Sequence, residues 1–187
     1  MRDIYQLYAK HHPTFTADDI YNLSKELDTV IYFEALSEVS VRVSHDLFIS
    51  KEMIPFDTDA VDRAINSFLS KDYIRIREID SFLVFPNVGY EWNEYLLESF
   101  LLSYSKKFAL VNNGLSLNNV AGFVVKKSGQ INDFIDACAA FLADGRIELK
   151  KVDALNYLAD MNVISRRSYK DIDLALRRAA QIRRRKE

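Results

Sequence analysis

The stretch 57-DTDAVDRAINSFLSKDYIRIREIDSFLVFP-86 decides how the first half of this chain is read, because its hydrophobic period changes midway. Val61, Ala64, Ile65, Phe68 and Leu69 recur at steps of three and four, the spacing that lines one face of a helix. Asp57 and Thr58 precede that stripe with side-chain oxygens able to accept from the first free amides. A helix over 58–70 is predicted. From Tyr73 to Ile79 apolar and polar residues alternate, the period of two of a half-buried strand. Asp80-Ser81 then separate this run from Phe82–Phe85, which Pro86 halts, so a hairpin with strands over 73–79 and 82–85 is predicted.

Upstream, Val39, Val41 and Val43 alternate with Ser40, Arg42 and Ser44, predicting a strand over 37–44, and Asp46–Met53 reads as a short helix or turn. Residues 31–39 fit either a helical turn or an extended stretch. Thr16, followed by Asp18 and Asp19 and by Ile20, Leu23 and Leu27, marks a helix over 16–28. The order strand, short helix, longer helix, hairpin over residues 37–86 resembles the winged-helix superfamily. In that arrangement the helix before the hairpin often docks on DNA and the hairpin is the wing. The solvent face expected for that helix carries Asp59, Asp62, Arg63, Asn66 and Ser67. Two aspartates there would repel phosphates, so the resemblance leaves the partner open between DNA and protein.

Trp92, Leu96, Leu97, Phe100, Leu101 and Tyr104 predict a central helix over 92–106, with Lys106 and Lys107 near the negative end of its dipole. Phe108–Val111 and Val120–Val125 read as strands joined through Asn112-Asn113-Gly114. A helix over 131–143 carries Phe134, Ile135, Cys138, Phe141 and Leu142 on one stripe, with Gly145 at its end. A short helix over 152–158 follows, and Ser168 with Asp171 is expected to cap a last helix running to Arg184. The fold class is therefore α+β and helix-rich, a winged-helix-like N-terminal half packed on a C-terminal helical half. A soft boundary is expected near 112–119, giving 1–111 with the central helix and 112–187 with a basic tail, the alternative being one continuous domain.

A chain of 187 residues buries about 70% of its unfolded surface, and 49% apolar residues supply that core. Five Gly and three Pro exclude collagen-like and low-complexity chains. The single Cys138 excludes an internal disulfide and a cysteine-based zinc site, and its place on an apolar stripe suits an inert thiol. The opening MRDIYQLYAKHHPTF has no apolar signal core, and no run of about 18 apolar residues occurs, so a cytoplasmic protein with no membrane partner is expected.

Charge is unevenly placed along the chain. Residues 166–187 hold nine Lys and Arg against three acids, net +6, while the other 165 residues hold sixteen against twenty-four, net −8. On a helix, Lys170, Arg177 and Arg184 form one line at seven-residue spacing, flanked by Arg178 and Arg185, opposite an apolar seam of Ile172, Leu176, Ala179 and Ile182. Arg166 and Arg167 lie just upstream. Arg forks bind phosphate oxygens bidentately, so this ridge is a candidate nucleic-acid contact. Arg75 and Arg77, beside Tyr73 on the outward face of the expected hairpin strand, extend the surface. Two blander readings stand beside it: cations that stabilise a helix C-terminus, and cations that pair with the acidic remainder of this chain or of a partner.

Catalytic hardware is scarce. Neither GxxxxGK[ST] nor GxGxxG occurs, and His11, His12 and His45 lack metal-ligand spacing. Glu148-Leu149-Lys150 matches the short ExK fragment of metal-dependent nucleases, but Asp133 and Asp136 upstream fall on a helix rather than the adjoining strand. Glu91, Glu94 and Glu98 read as a solvated acidic edge of the central helix. The expectation is a non-enzymatic module with no cofactor and no metal that binds nucleic acid, DNA before RNA, in a mobile-element or defence setting. The alternative is a protein-interaction subunit or homo-oligomer docking through its basic tail and acidic helix faces.

Overall fold

The computed structural model describes residues 2–186, a mixed α+β chain with two three-stranded antiparallel sheets among them. The chain forms two compact units. Unit 1 comprises Met1–Ser67, Ile79–Lys106 and Leu115–Val120; unit 2 comprises Phe68–Glu78, Lys107–Gly114 and Ala121–Glu187. They interleave along the sequence, so the single boundary expected near 112–119 is replaced by several crossings.

Unit 1 opens with α1 (Arg2–His11), β1 (Thr14–Thr16), α2 (Ala17–Glu26), α3 (Phe33–Val39), β2 (Ser40–Arg42) and β3 (Leu47–Ser50). The start of α2 follows from its sequence: the Thr16 hydroxyl accepts from the Asp19 amide at 3.2 Å while the Asp19 carboxylate accepts from the Thr16 amide at 2.7 Å. Strand β3 lies between β1 and β2, with Phe15 opposite Phe48 and Val41 opposite Ile49. The Phe15 and Phe48 rings stack at 5.6 Å over a core of Tyr5, Ile20 and Leu36. The ambiguous segment 31–39 is thus mostly helix, the expected strand 37–44 shortens to β2, and the expected helix or turn at 46–53 is strand β3 plus a short 3-10 turn.

Helix α4 (Thr58–Asn66) starts at Asp57, whose carboxylate accepts from the Ala60 amide, and α5 (Glu94–Ser103) starts at Asn93, whose carbonyl oxygen accepts from Tyr95 and Leu96. Asp62, expected on the solvent face of α4, is fully buried. It accepts from the Ser105 hydroxyl at 2.6 Å and the Lys106 amide at 3.0 Å, which ties α4 to the end of α5.

The expected hairpin does not form. In unit 2, β4 (Tyr73–Arg75) pairs with β6 (Phe123–Lys126), Ile74 facing Val124, and β5 (Phe108–Val111) takes the other edge of β6. A 3-10 turn at Ile76–Glu78 ends β4. In unit 1, Phe82–Phe85 is a tight turn closed by the Phe85 amide on the Phe82 carbonyl at 3.1 Å, with Phe85 4.9 Å from the Trp92 ring. Two causes are visible. A two-residue hairpin loop favours residues that accept positive φ, which Ser81 supplies poorly, and the Phe82 and Phe85 rings instead lie 6.4 and 4.9 Å from the Trp92 ring. The winged-helix resemblance over 37–86 thereby loses its wing.

Unit 2 adds α6 (Phe134–Asp144), α7 (Lys151–Asp160) and α8 (Ile172–Arg184). Asp133 caps α6. Small buried residues, Ala137 and Cys138 on α6 and Ala175 and Ala179 on α8, share one core cluster and let neighbouring backbones approach closely. The cap expected from Ser168 and Asp171 is not made: α8 begins at Ile172, and Asp171 stands at its N-cap without a side-chain bond.

Gly122 is the residue where the chain enters β6 with φ +115°, and a Cβ there would run into the Val111 carbonyl and reach 2.8 Å from the Asn112 Cβ. We predict that Gly122→Ala destabilises unit 2 by about 1–3 kcal/mol, read as a lowered urea midpoint by far-UV circular dichroism.

Candidate nucleic-acid interface

The structure splits the predicted basic set by what each side chain touches. Arg178 reaches the first turn of α6, its Nη1 2.5 Å from Asp136 Oδ1 and 3.7 Å from Asp133 Oδ1. Arg183 reaches the last turn, where its guanidinium donates to the carbonyls of Leu142, Ala143, Gly145 and Ile147 at 2.7–3.1 Å. Those carbonyls have no intrahelical donor, so one Arg fork closes the C-terminus of α6. Lys186 pairs with Asp144 at 2.6 Å, and Arg167 with Asp160 at 3.2 Å. These cations hold unit 2 together.

The others remain in solvent. Arg166, Lys170, Arg184 and Arg185 are exposed and have no side-chain partner among the described residues, and Arg177 touches only the Asp173 carbonyl of its own helix, at 3.4 Å. Arg177 and Arg184 are seven residues apart, about 10.5 Å along the helix, with Lys170 in the turn before it.

Arg75 is not on an outward strand face. Its Nη2 pairs with Glu78 at 2.8 Å, its Nη1 donates to the Met161 carbonyl at 3.0 Å, its guanidinium lies 5.5 Å from the Phe141 ring, and its buried Nε has no partner. Tyr73, expected beside it as a stacking platform, instead donates its hydroxyl to Asp144 at 2.8 Å. Arg77 is exposed in the 3-10 turn. Partial burial pushes the Asp144 carboxyl up, but hydrogen bonds from Lys186, Lys71 and Tyr73 outweigh it and hold the group at about 2.

Unit 1 contains charges that sequence reading misplaced. Arg42 is almost wholly buried, donating to the backbone carbonyls of His45, Ser116 and Leu117 and lying 4.1 Å from the Tyr95 ring. Glu98, read as part of a solvated edge, is 4% exposed and accepts no hydrogen bond from the described residues. It faces a small void beside Ser40, Arg42 and Ser99. Its neighbours in sequence, Leu97 and Ser99, are buried on α5, and the wide apolar girth of that helix was the available signal. Burial raises the Glu98 carboxyl from 4.5 to about 7, against a lowering by Arg42 and with a further push from Glu94.

Glu148 pairs with Lys150 at 2.5 Å, and Asp133 and Asp136 are engaged by Arg178, so the ExK fragment gathers no carboxylate site. Among the described residues no group of His, Cys, Asp and Glu could hold a metal, and no helix is long and apolar enough to cross a membrane. Burial pushes the Cys138 thiol far up, away from the reactive thiolate. No protein-family model, no curated protein and no solved structure matches this chain.

Two predictions follow from opposite environments. Arg183→Ala leaves four carbonyls unpaired and lowers the melting temperature clearly, whereas Arg184→Ala, made in solvent one residue on, leaves it nearly unchanged; differential scanning calorimetry separates them. For Glu98 the folded state prefers the proton, so its contribution to the stability of unit 1 is fullest below pH 4.5 and declines as pH rises to about 7. Glu98→Gln removes that decline, seen as a urea midpoint, followed by Trp92 fluorescence, that no longer falls over this range.

Proposed function

We propose that this chain is a non-enzymatic binding protein that holds nucleic-acid phosphates on the solvent side of α8, through Lys170, Arg177, Arg184 and Arg185. One observation carries the reading: these cations stay exposed while their neighbours Arg178, Arg183 and Lys186 are engaged in fixing the helix that presents them. A helix anchored on one side and cationic on the other is a rigid ridge, and ordering it costs little on binding. Unit 2 as a whole has eighteen Lys and Arg against eleven Asp and Glu, net +7, which draws a polyanion toward it. The ridge offers forks and point charges to phosphates, with the Gln181 amide exposed between Arg177 and Arg184, so phosphates dominate the contact, on DNA first.

Unit 1 favours a different partner. Helix α3 leads into the sheet in which β3 lies between β1 and β2. Its exposed α3 positions are Glu34 and Glu38, and the turn between β2 and β3 exposes His45 and Asp46. Unit 1 carries seven Lys and Arg against sixteen Asp and Glu, net −9. Such a face repels phosphates and suits a basic protein surface, so the second reading is a protein contact through unit 1.

With about four phosphate contacts on a duplex, log K should fall against log salt with a slope near −3.6. Lys170→Ala, Arg177→Ala and Arg184→Ala made together should bring the slope to about −1 and weaken binding to any sequence alike. Fluorescence anisotropy of a labelled duplex measures both, and a slope unmoved by the triple change would remove the reading.

A further inference from the structure

The turn Phe82–Phe85 places two apolar residues at its tip: Leu83 is 94% exposed and Val84 64%. It is not a loose loop. The Phe82 and Phe85 rings meet edge to face at 5.1 Å, Phe85 packs on Trp92, and the Trp92 indole donates to the Pro86 carbonyl at 2.7 Å. An aromatic base thus holds an apolar knob in water, which is the arrangement of an anchor residue waiting for a pocket. Charge narrows the partner. Residues 79–94 contain Asp80, Glu91 and Glu94 and no Lys or Arg, which opposes docking on an anionic bilayer or on nucleic acid.

Unit 2 has a pocket of matching character. A cavity of 480 Å³ has an apolar wall of Phe68, Tyr73, Ile74, Phe141 and Tyr157, the Phe141 and Tyr157 rings stacked at 5.2 Å, and a polar side with the Glu78 and Asp144 carboxylates, engaged by Arg75 and by Lys71 and Lys186. Lys71 lines the opening, and its bond to Asp144 is shared with Lys186. Unit 1 is net −9 and unit 2 net +7, so the two surfaces attract between molecules. We infer that the Leu83–Val84 turn of one molecule seats in the aromatic cavity of unit 2 of a second copy of this chain. The contact is heterologous, joining two different patches, and uses neither Lys170, Arg177 nor Arg184.

Analytical ultracentrifugation of the full chain tests it. The wild-type mass should rise above 21.6 kDa with concentration at low salt. Leu83→Asp, made where no packing is lost, should stay monomeric, as should Ser70→Trp, which fills the cavity mouth. An equimolar mixture of these two variants should regain a complex, because one still carries the knob and the other the cavity. The Lys170, Arg177 and Arg184 triple variant should associate as wild type does, which separates this contact from phosphate binding. If Ser70→Trp melts early, Leu83→Cys protein mixed with Ser70→Cys protein under mild oxidation should give a disulfide-linked pair instead. A wild-type chain that stays monomeric, association that survives Leu83→Asp, or a mixture and a cysteine pair that both stay apart would overturn the inference.

Discussion

Ile74 faces Val124 across an antiparallel pair, and the rest of the chain's organisation depends on that pairing. It joins residues about fifty apart, so loop closure opposes it, and the return is a strand whose Tyr73 packs against the core built on Phe123 and Val125. Once β4 is committed to β6, segment 68–78 belongs to unit 2. Arg75 then turns inward to Glu78 and Met161, and Tyr73 reaches Asp144. The same commitment frees Phe82–Phe85 from any strand and leaves its rings to Trp92 and its tip to solvent.

The basic residues near the C-terminus divide by the periodicity of α8. Positions 175 and 179 are buried, so positions 178 and 183, which flank that seam, fall within reach of the two ends of α6 and complete its unpaired groups. Positions 177 and 184 lie on the opposite side and keep their charge in water. A single amphipathic helix therefore does two jobs: its flank fixes the unit, and its outer line presents cations at a regular spacing. The net charge of a segment says nothing of this division, because engaged and exposed cations count alike.

Unit 1 buries the charged side chains of Arg42 and Glu98. Arg42 satisfies carbonyls of its own turn and of segment 115–120, holding a length of chain that would otherwise leave backbone acceptors unpaired. Glu98 lies near that cation without a hydrogen bond from the described residues and is more comfortable with its proton than without. A buried cation beside an acid whose carboxyl is raised by burial makes this unit sensitive to pH through its interior.

Much of the local structure was legible in the residues. Thr16 and Asp57 each start a helix where a capping side chain precedes an apolar stripe, because the bonds involved span only three residues, whereas Asn93 and Asp133, expected inside helices over 92–106 and 131–143, instead cap shorter ones. The α+β character, the exposed line Lys170–Arg177–Arg184 and the buried thiol of Cys138 follow from periodicity in the same way. Strand partners did not, since alternation in Tyr73–Ile79 says that a strand forms and not what it pairs with. Nor did the fates of Asp62, Arg75, Glu98 and Arg183: Asp62 and Arg183 bond groups 36 to 44 residues away, and Arg75 is turned inward to the Met161 carbonyl 86 residues on. Local spacing determines which face a side chain occupies, but only the folded chain decides what stands opposite that face, because a hydrogen bond or a strand ladder is made with groups that sequence proximity does not bring together.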